Sequence, residues 1–136
     1  MLLKILKENS KSEIGKRFNF ASIKSIEDFK RQVPITEYKF YEDYINRMAT
    51  GEKNILTSEE VEYFGHTSGT TGKQKMIPAT KSSRRIASKY MALLTNRFSY
   101  ENFKENWNYG KGLIIADIVM TTYTKGGVPI CAATSV

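Results

Sequence analysis

Between Phe64 and Pro78 the chain reads "FGHTSGTTGKQKMIP", a run of hydroxyl side chains, glycines and lysines set between two short apolar segments. Anions bind where backbone N–H groups converge, and glycine lets the main chain come close because it carries no Cβ. Gly69 and Gly72 suit that purpose. Thr67, Ser68, Thr70 and Thr71 add donors that rotate toward phosphate oxygens, and Lys73 or Lys75 supplies positive charge. Two familiar phosphate loops are excluded by position. The Walker pattern needs glycine where Thr67 stands and a hydroxyl residue where Gln74 stands. The dinucleotide fingerprint needs a glycine two positions before Gly69, and it opens directly into a helix, whereas "MIP" here reads as strand.

Other chemistry-bearing residues are sparse. His66, the only histidine, falls at a strand end beside the loop and reads as a packing or surface residue rather than a general base. Asp117 interrupts the apolar run "LIIADIVM" and is expected at a strand end or on a backbone amide. Cys131 has no basic neighbour in sequence and reads as a small buried residue rather than a nucleophile. One cysteine allows no intrachain disulfide, and no cysteine–histidine cluster offers a zinc site.

The elements that must position the loop follow from periodicity. Leu2, Leu3, Ile5 and Leu6 can line one side of a first helix, after which "NSKSEIGKRFNF" reads as a polar connection turning at Gly15. Ser25 and Asp28 form a capping-box pair for a two-turn helix that Pro34 ends by pushing Val33 out of helical geometry. Thr36 is the expected N-cap of the next helix, with Glu37 near its positive end, Tyr41, Tyr44, Ile45 and Met48 as its core-facing stripe, and Gly51 as its stop. "VEYFGHT" alternates as a strand, the loop follows, and "KMIP" returns. Thr80 then caps the longest helix, where Ile86, Tyr90, Leu93, Leu94 and Phe98 predict packing on one side only. Beyond the turn-rich "SYENFKENWNYGKG", the run "LIIADIVM" predicts a strand covered on both faces, Gly126-Gly127 a turn, and "VPICAATSV" the start of another strand. The fold class is α/β: a helical region over 1–56, then a strand–loop–strand–helix–strand segment over 57–136 that forms part of a mixed sheet. A last strand with so few partners after it implies either a very small sheet or an incomplete domain.

Composition narrows the partners. Apolar residues at 40% and charged residues at 26% belong to a folding chain rather than a disordered one. The net charge of +7 would suit a polyanion, but Lys4, Lys7, Lys11, Lys16, Lys24 and Lys30 are scattered among acidic residues as on solvated helix faces, so no nucleic-acid partner is expected. The apolar start "MLLKILKENSK" is broken by Lys4 and Lys7 and lacks a signal-peptide core, and no run approaches the ~20 apolar residues that span a bilayer. A cytoplasmic protein with no membrane partner is the expectation.

"TSGTTGKQK" resembles the phosphate-binding motif of the adenylate-forming enzymes. The longer stretch "FKRQVPITEYKFYEDYINRMATGEKNILTSEEVEYFGHTSGTTGKQKMIP" resembles one branch of them, the auxin-responsive Gretchen Hagen family of acyl-acid amido synthetases. The likeness runs from Leu2 to about Pro129. It implies an enzyme that uses ATP and magnesium to convert a carboxylic acid to an acyl-adenylate and passes the acyl group to an amino acid. Carried over to this chain, Thr67, Ser68, Thr70 and Thr71 would bond the phosphates, Gly69 and Gly72 would shape the loop, and Lys73 or Lys75 would offset charge. The resemblance places the adenine site, the magnesium carboxylate, the acyl pocket and a mobile C-terminal domain downstream of Val136, in a remainder that could be separately encoded. The 136-residue chain is then expected to bind ATP weakly and to be inactive alone. Two other readings share the loop: a fragment of an acyl- or aryl-CoA ligase, and a non-catalytic nucleotide-binding remnant.

Overall fold

The stripe Tyr41, Tyr44, Ile45 and Met48 forms one face of a twelve-residue helix, Tyr38–Ala49, and that face is the centre of the core. In the computed structural model, which describes residues 1–67, 74–104 and 122–132, Tyr44, Ile45, Met48 and Ala49 are buried with Ile14, Ile55 and Phe64, and Phe18, Phe40, Met76 and Ile130 pack around them. Each large side chain buried there stabilises by about 1.5–3 kcal/mol. The elements in chain order are α1 (Leu2–Glu8), α2 (Glu13–Arg17), a 3₁₀ turn (Phe20–Ser22), α3 (Ile26–Gln32), α4 (Tyr38–Ala49), β1 (Val61–His66), β2 (Met76–Thr80), α5 (Lys81–Phe103), β3 (Thr122–Tyr123) and β4 (Pro129–Ala132). The strands form a mixed sheet ordered β2-β1-β4-β3, in which β1 runs antiparallel to β2 and parallel to β4. The α/β expectation holds. "LIIADIVM" and Asp117 lie outside the described residues.

Several local expectations are corrected. "NSKSEIGKRFNF" is not a plain connection: Ser12 caps α2 by accepting the Gly15 N–H at 3.1 Å, and Gly15 is buried inside the helix. The helix forms because its first amides find remote acceptors, Glu13 N–H donating to the Asn54 carbonyl at 2.7 Å and Ile14 N–H to that of Ile55 at 3.1 Å. Glu37, not Thr36, occupies the N-cap of α4, and the Thr36 hydroxyl instead donates to the Tyr41 hydroxyl at 2.7 Å. In α1 only Leu6 is buried, whereas Leu3 and Ile5 are exposed. α5 continues to Phe103, through residues expected to form a turn.

The other punctuation is where the sequence puts it. Ser25 and Asp28 complete the α3 box, Thr80 and Ser83 complete that of α5, and Val33 leaves α3 in extended geometry. Gly51 follows the end of α4 at φ 103°, and Gly127 turns β3 toward β4 at φ 79°. That turn also fixes α4, because Gly126 N–H donates to the Ala49 carbonyl at 2.9 Å. Lys4, Lys7, Lys11, Lys16, Lys24 and Lys30 are all exposed, as solvated faces require.

Arg47 ties α4 to the segments on either side. It donates to both Glu13 carboxylate oxygens, at 3.1 and 2.8 Å, and to Glu52 at 3.0 and 2.8 Å. The hydrogen bonds from Arg47 hold the Glu13 carboxyl below its ordinary range, and those carboxylates hold the Arg47 guanidinium more firmly charged. Because the folded value of Glu13 is depressed, its contribution is present above the unfolded value and is lost as pH falls through the folded one. Urea unfolding across a pH series should therefore show wild type and Glu13→Gln converging as pH drops below about 4.3. A constant gap would show that the charge of Glu13 is not what binds Arg47.

The longest helix departs most from expectation. Tyr90, Leu93, Leu94 and Phe98 fall on one side, as the spacing predicts, yet each is at least 48% exposed, and α5 buries none of its described residues. Leu94→Lys should then shift the unfolding free energy of this chain by no more than about 0.5 kcal/mol, measured in urea. A loss typical of a core leucine would show that the stripe is covered.

Candidate phosphate-binding site

The loop is carried by the β1–β2 hairpin. Pairing closes with His66 opposite Met76, followed by a last rung in which Thr67 N–H donates to the Lys75 carbonyl at 3.1 Å. Lys75 N–H donates to the Thr67 hydroxyl oxygen at 3.3 Å. That oxygen accepts from the chain, so the hydroxyl proton stays available to donate to a ligand. Of the expected phosphate-binding residues, the structure brings Thr67 and Lys75 together as the two gateposts of the loop. Ser68, Gly69, Thr70, Thr71, Gly72 and Lys73 lie outside the described residues.

Topology puts those gateposts at a favourable edge. β1 and β4 run parallel, with Ala132 beside His66, so both strands deliver their C-terminal ends to the side from which the loop springs. Ligands of α/β sheets characteristically bind outside the carboxyl ends of parallel strands. The N-terminus of α5 lies at the other end of the hairpin, where Val61 pairs with Thr80. Its first amides are already engaged: Ser83 N–H donates to the Thr80 hydroxyl at 3.2 Å, and Ser82 N–H to Glu59 at 3.0 Å. Burial pushes the Glu59 carboxyl up, but hydrogen bonds from Thr80 and Ser82 outweigh it and hold the group below its ordinary value. The helix-terminus mode of phosphate binding is thus not used by α5, in keeping with the failed Walker and dinucleotide patterns.

Two side chains flank the gateposts. The Lys75 ammonium lies 5.4 Å from the centroid of the Tyr38 ring. The Tyr38 hydroxyl donates to the Met76 carbonyl at 3.2 Å and accepts from the Met76 N–H at 3.1 Å. Tyr38 stands three residues before Tyr41 and seven before Ile45, at the start of the α4 stripe, but its pairing with Met76, 38 residues further on, has no signal in the sequence spacing. His66, half-buried at the end of β1, carries a buried Nδ1 with no hydrogen-bond partner among the described residues. Among the described residues, the rim of the loop thus carries the Thr67 hydroxyl and the Lys75 ammonium, two groups that can donate to an anion. Among the described residues no group of three His, Cys, Asp or Glu side chains could hold a metal ion, and no helix is long and apolar enough to cross a membrane. Cys131 is buried in β4, as expected.

The chain is 28% identical over 131 residues to a probable indole-3-acetic acid-amido synthetase, GH3.1, of Arabidopsis thaliana, covering 95% of this chain and 22% of that one. It is 30% identical over 136 residues to the jasmonoyl–L-amino acid synthetase JAR6 of Nicotiana attenuata, covering 98% of this chain and 23% of that one. The chain thus spans less than a quarter of the length of these relatives. A solved structure of the GH3.15 acyl acid amido synthetase in complex with 2,4-DB superposes with a TM-score of 0.76 at 24% identity, over 96% of this chain and 23% of the other, which establishes the shared fold. The family model for the GH3 family N-terminal domain matches residues 1–136, and the chain therefore belongs to the GH3 family.

Proposed function

We propose that this chain is the phosphate-gripping N-terminal part of an ATP-dependent acyl-acid amido synthetase. In the reaction of such an enzyme a carboxylate oxygen attacks the α-phosphorus of ATP, the bond to pyrophosphate breaks, and an amino-acid amine then displaces AMP from the acyl-adenylate. Negative charge builds on the departing pyrophosphate, so donors fixed in advance around the phosphates lower the barrier. Magnesium, with ligands outside this chain, would share in neutralising that charge. Thr67, Ser68, Thr70 and Thr71 would donate to phosphate oxygens, Gly69 and Gly72 would let backbone amides approach, and Lys73 or Lys75 would balance charge. The observation that supports this most is the closure of the "TSGTTGKQK" span by the Thr67–Lys75 rung at the carboxyl end of the β1–β4 pair.

The relatives are more than four times as long as this chain, and the apolar stripe of α5 is open. We place the remainder of the enzyme, in the same polypeptide or a separate one, against that stripe. The test is acid-dependent exchange of labelled pyrophosphate into ATP, measured on the purified chain and on a fusion carrying the downstream three quarters of a relative. Exchange only in the fusion, lost with Ser68→Ala/Thr71→Ala and with Leu94→Lys, is the expected result. Exchange by the chain alone, or a fusion indifferent to the loop substitutions, would contradict the proposal.

A further inference from the structure

The exit of the loop is held by a residue that belongs to neither strand. Among the described residues β2 is the edge of the sheet, and at Met76 it turns both its N–H and its carbonyl away from β1. An unpaired edge would leave those groups to water and the loop exit free to shift. Here one phenol hydroxyl takes both, bonding as a neighbouring strand would. The same ring seats the Lys75 ammonium at 5.4 Å, so one side chain fixes the main chain at one residue and the side chain of the residue before it. Tyr38 can do this because it opens α4. That helix is about 18 Å long, and its other end is pinned by the Gly126 N–H on the Ala49 carbonyl. Its flank is buried through Tyr44, Ile45 and Met48. The hydroxyl is therefore presented by a rigid support rather than by the loop itself.

We infer that Tyr38 is a positioning residue for phosphate binding: its hydroxyl sets the Met76 backbone and its ring sets Lys75, so that the Thr67–Lys75 gate is organised before the ligand arrives. This rests on the phosphate-binding reading of the loop and adds to it a residue and a division of labour. Organising donors in advance strengthens binding by reducing what must be ordered on association. Tyr38→Phe removes the hydroxyl and keeps the ring with its packing, whereas Tyr38→Leu removes both.

The test uses the ¹⁵N-labelled 136-residue chain with inorganic pyrophosphate as the probe. In the wild type, pyrophosphate should shift the Met76 amide resonance together with those of Thr67 and Lys75, which needs no variant. Tyr38→Phe should accelerate exchange of the Met76 amide and weaken pyrophosphate binding roughly fivefold, the value of one ordinary hydrogen bond. Tyr38→Leu should weaken it further. Titrations are run where circular dichroism shows each variant fully folded, so a purely structural role would move the melting temperature and leave the affinity alone. A Tyr38→Phe chain with faster Met76 exchange and unchanged affinity would overturn the inference while leaving the loop's function intact. A wild-type chain that pyrophosphate does not perturb would overturn the phosphate reading and this inference with it.

Discussion

Gly15→Ala should be among the most damaging single-methyl changes in the chain, costing about 3 kcal/mol or more in urea unfolding. A Cβ built there falls 2.0 Å from the Asn9 carbonyl oxygen, 3.0 Å from the Asn9 carbonyl carbon and 3.1 Å from that of Ser10. All three are backbone atoms, so no rotamer change relieves the contact. They are held besides, because the Asn9 carbonyl accepts from the Ser12 hydroxyl at 2.7 Å and from its N–H at 3.1 Å. Moving the turn would disturb the Ser12 cap and with it the amides of α2 that hold Asn54 and Ile55. The damage thus reaches the segment that leads into β1. A Gly15→Ala chain as stable as wild type would show that the turn over 9–12 yields freely.

Phe64→Ala should cost about 3–5 kcal/mol, since it empties a fully buried aromatic site in a close-packed core. Phe64 is 0% exposed, pairs across the sheet with Pro78 and Ile130, and stands three residues before the Thr67 gatepost. Its loss should loosen β1 against α4 and so degrade the gate as well as the fold. The control lies in the same hairpin. Ile77, on edge strand β2, is 50% exposed, and Ile77→Thr should change stability far less, within about 0.5–1 kcal/mol. Equal effects of the two would mean that the sheet, not the Phe64 cavity, sets the cost.

What could be read from the sequence depended on how far apart the cooperating groups are. The α4 stripe, the Ser25–Asp28 box, the Thr80 cap and the stop at Gly51 are local, resting on contacts three or four residues apart, and the structure has all of them. Helix α2 was hidden because five residues of helix survive only with acceptors at Asn54 and Ile55. Thr36 looked like a cap, yet its hydroxyl donates instead to the Tyr41 hydroxyl, five residues on. The α5 stripe had the right period, but period reports which side is apolar and not whether anything in the chain covers it.

The candidate site divides in the same way. The proposed donors are contiguous, so the density of hydroxyls and glycines from Thr67 to Lys75 could be read as a candidate phosphate loop from the sequence, and the flanking "VPIT.Y" and "NILT" stretches pointed to the family. The support is not contiguous. Tyr38 meets Met76 only because α4 crosses back over the sheet, and the parallel pairing of β1 with β4 joins segments more than sixty residues apart. These are consequences of tertiary structure that no spacing in one sequence encodes.

The most direct measurement is a titration of the ¹⁵N-labelled chain with ATP, following every assigned backbone amide, with pyrophosphate and adenosine as separate competitors. Saturable shifts concentrated on residues 67–75 are expected, at weak, roughly millimolar affinity, displaced by pyrophosphate and indifferent to adenosine. Shifts absent from those residues, or centred instead on the cavity of about 330 Å³ beside Glu52, Glu59 and Gly126, would contradict the phosphate-binding reading.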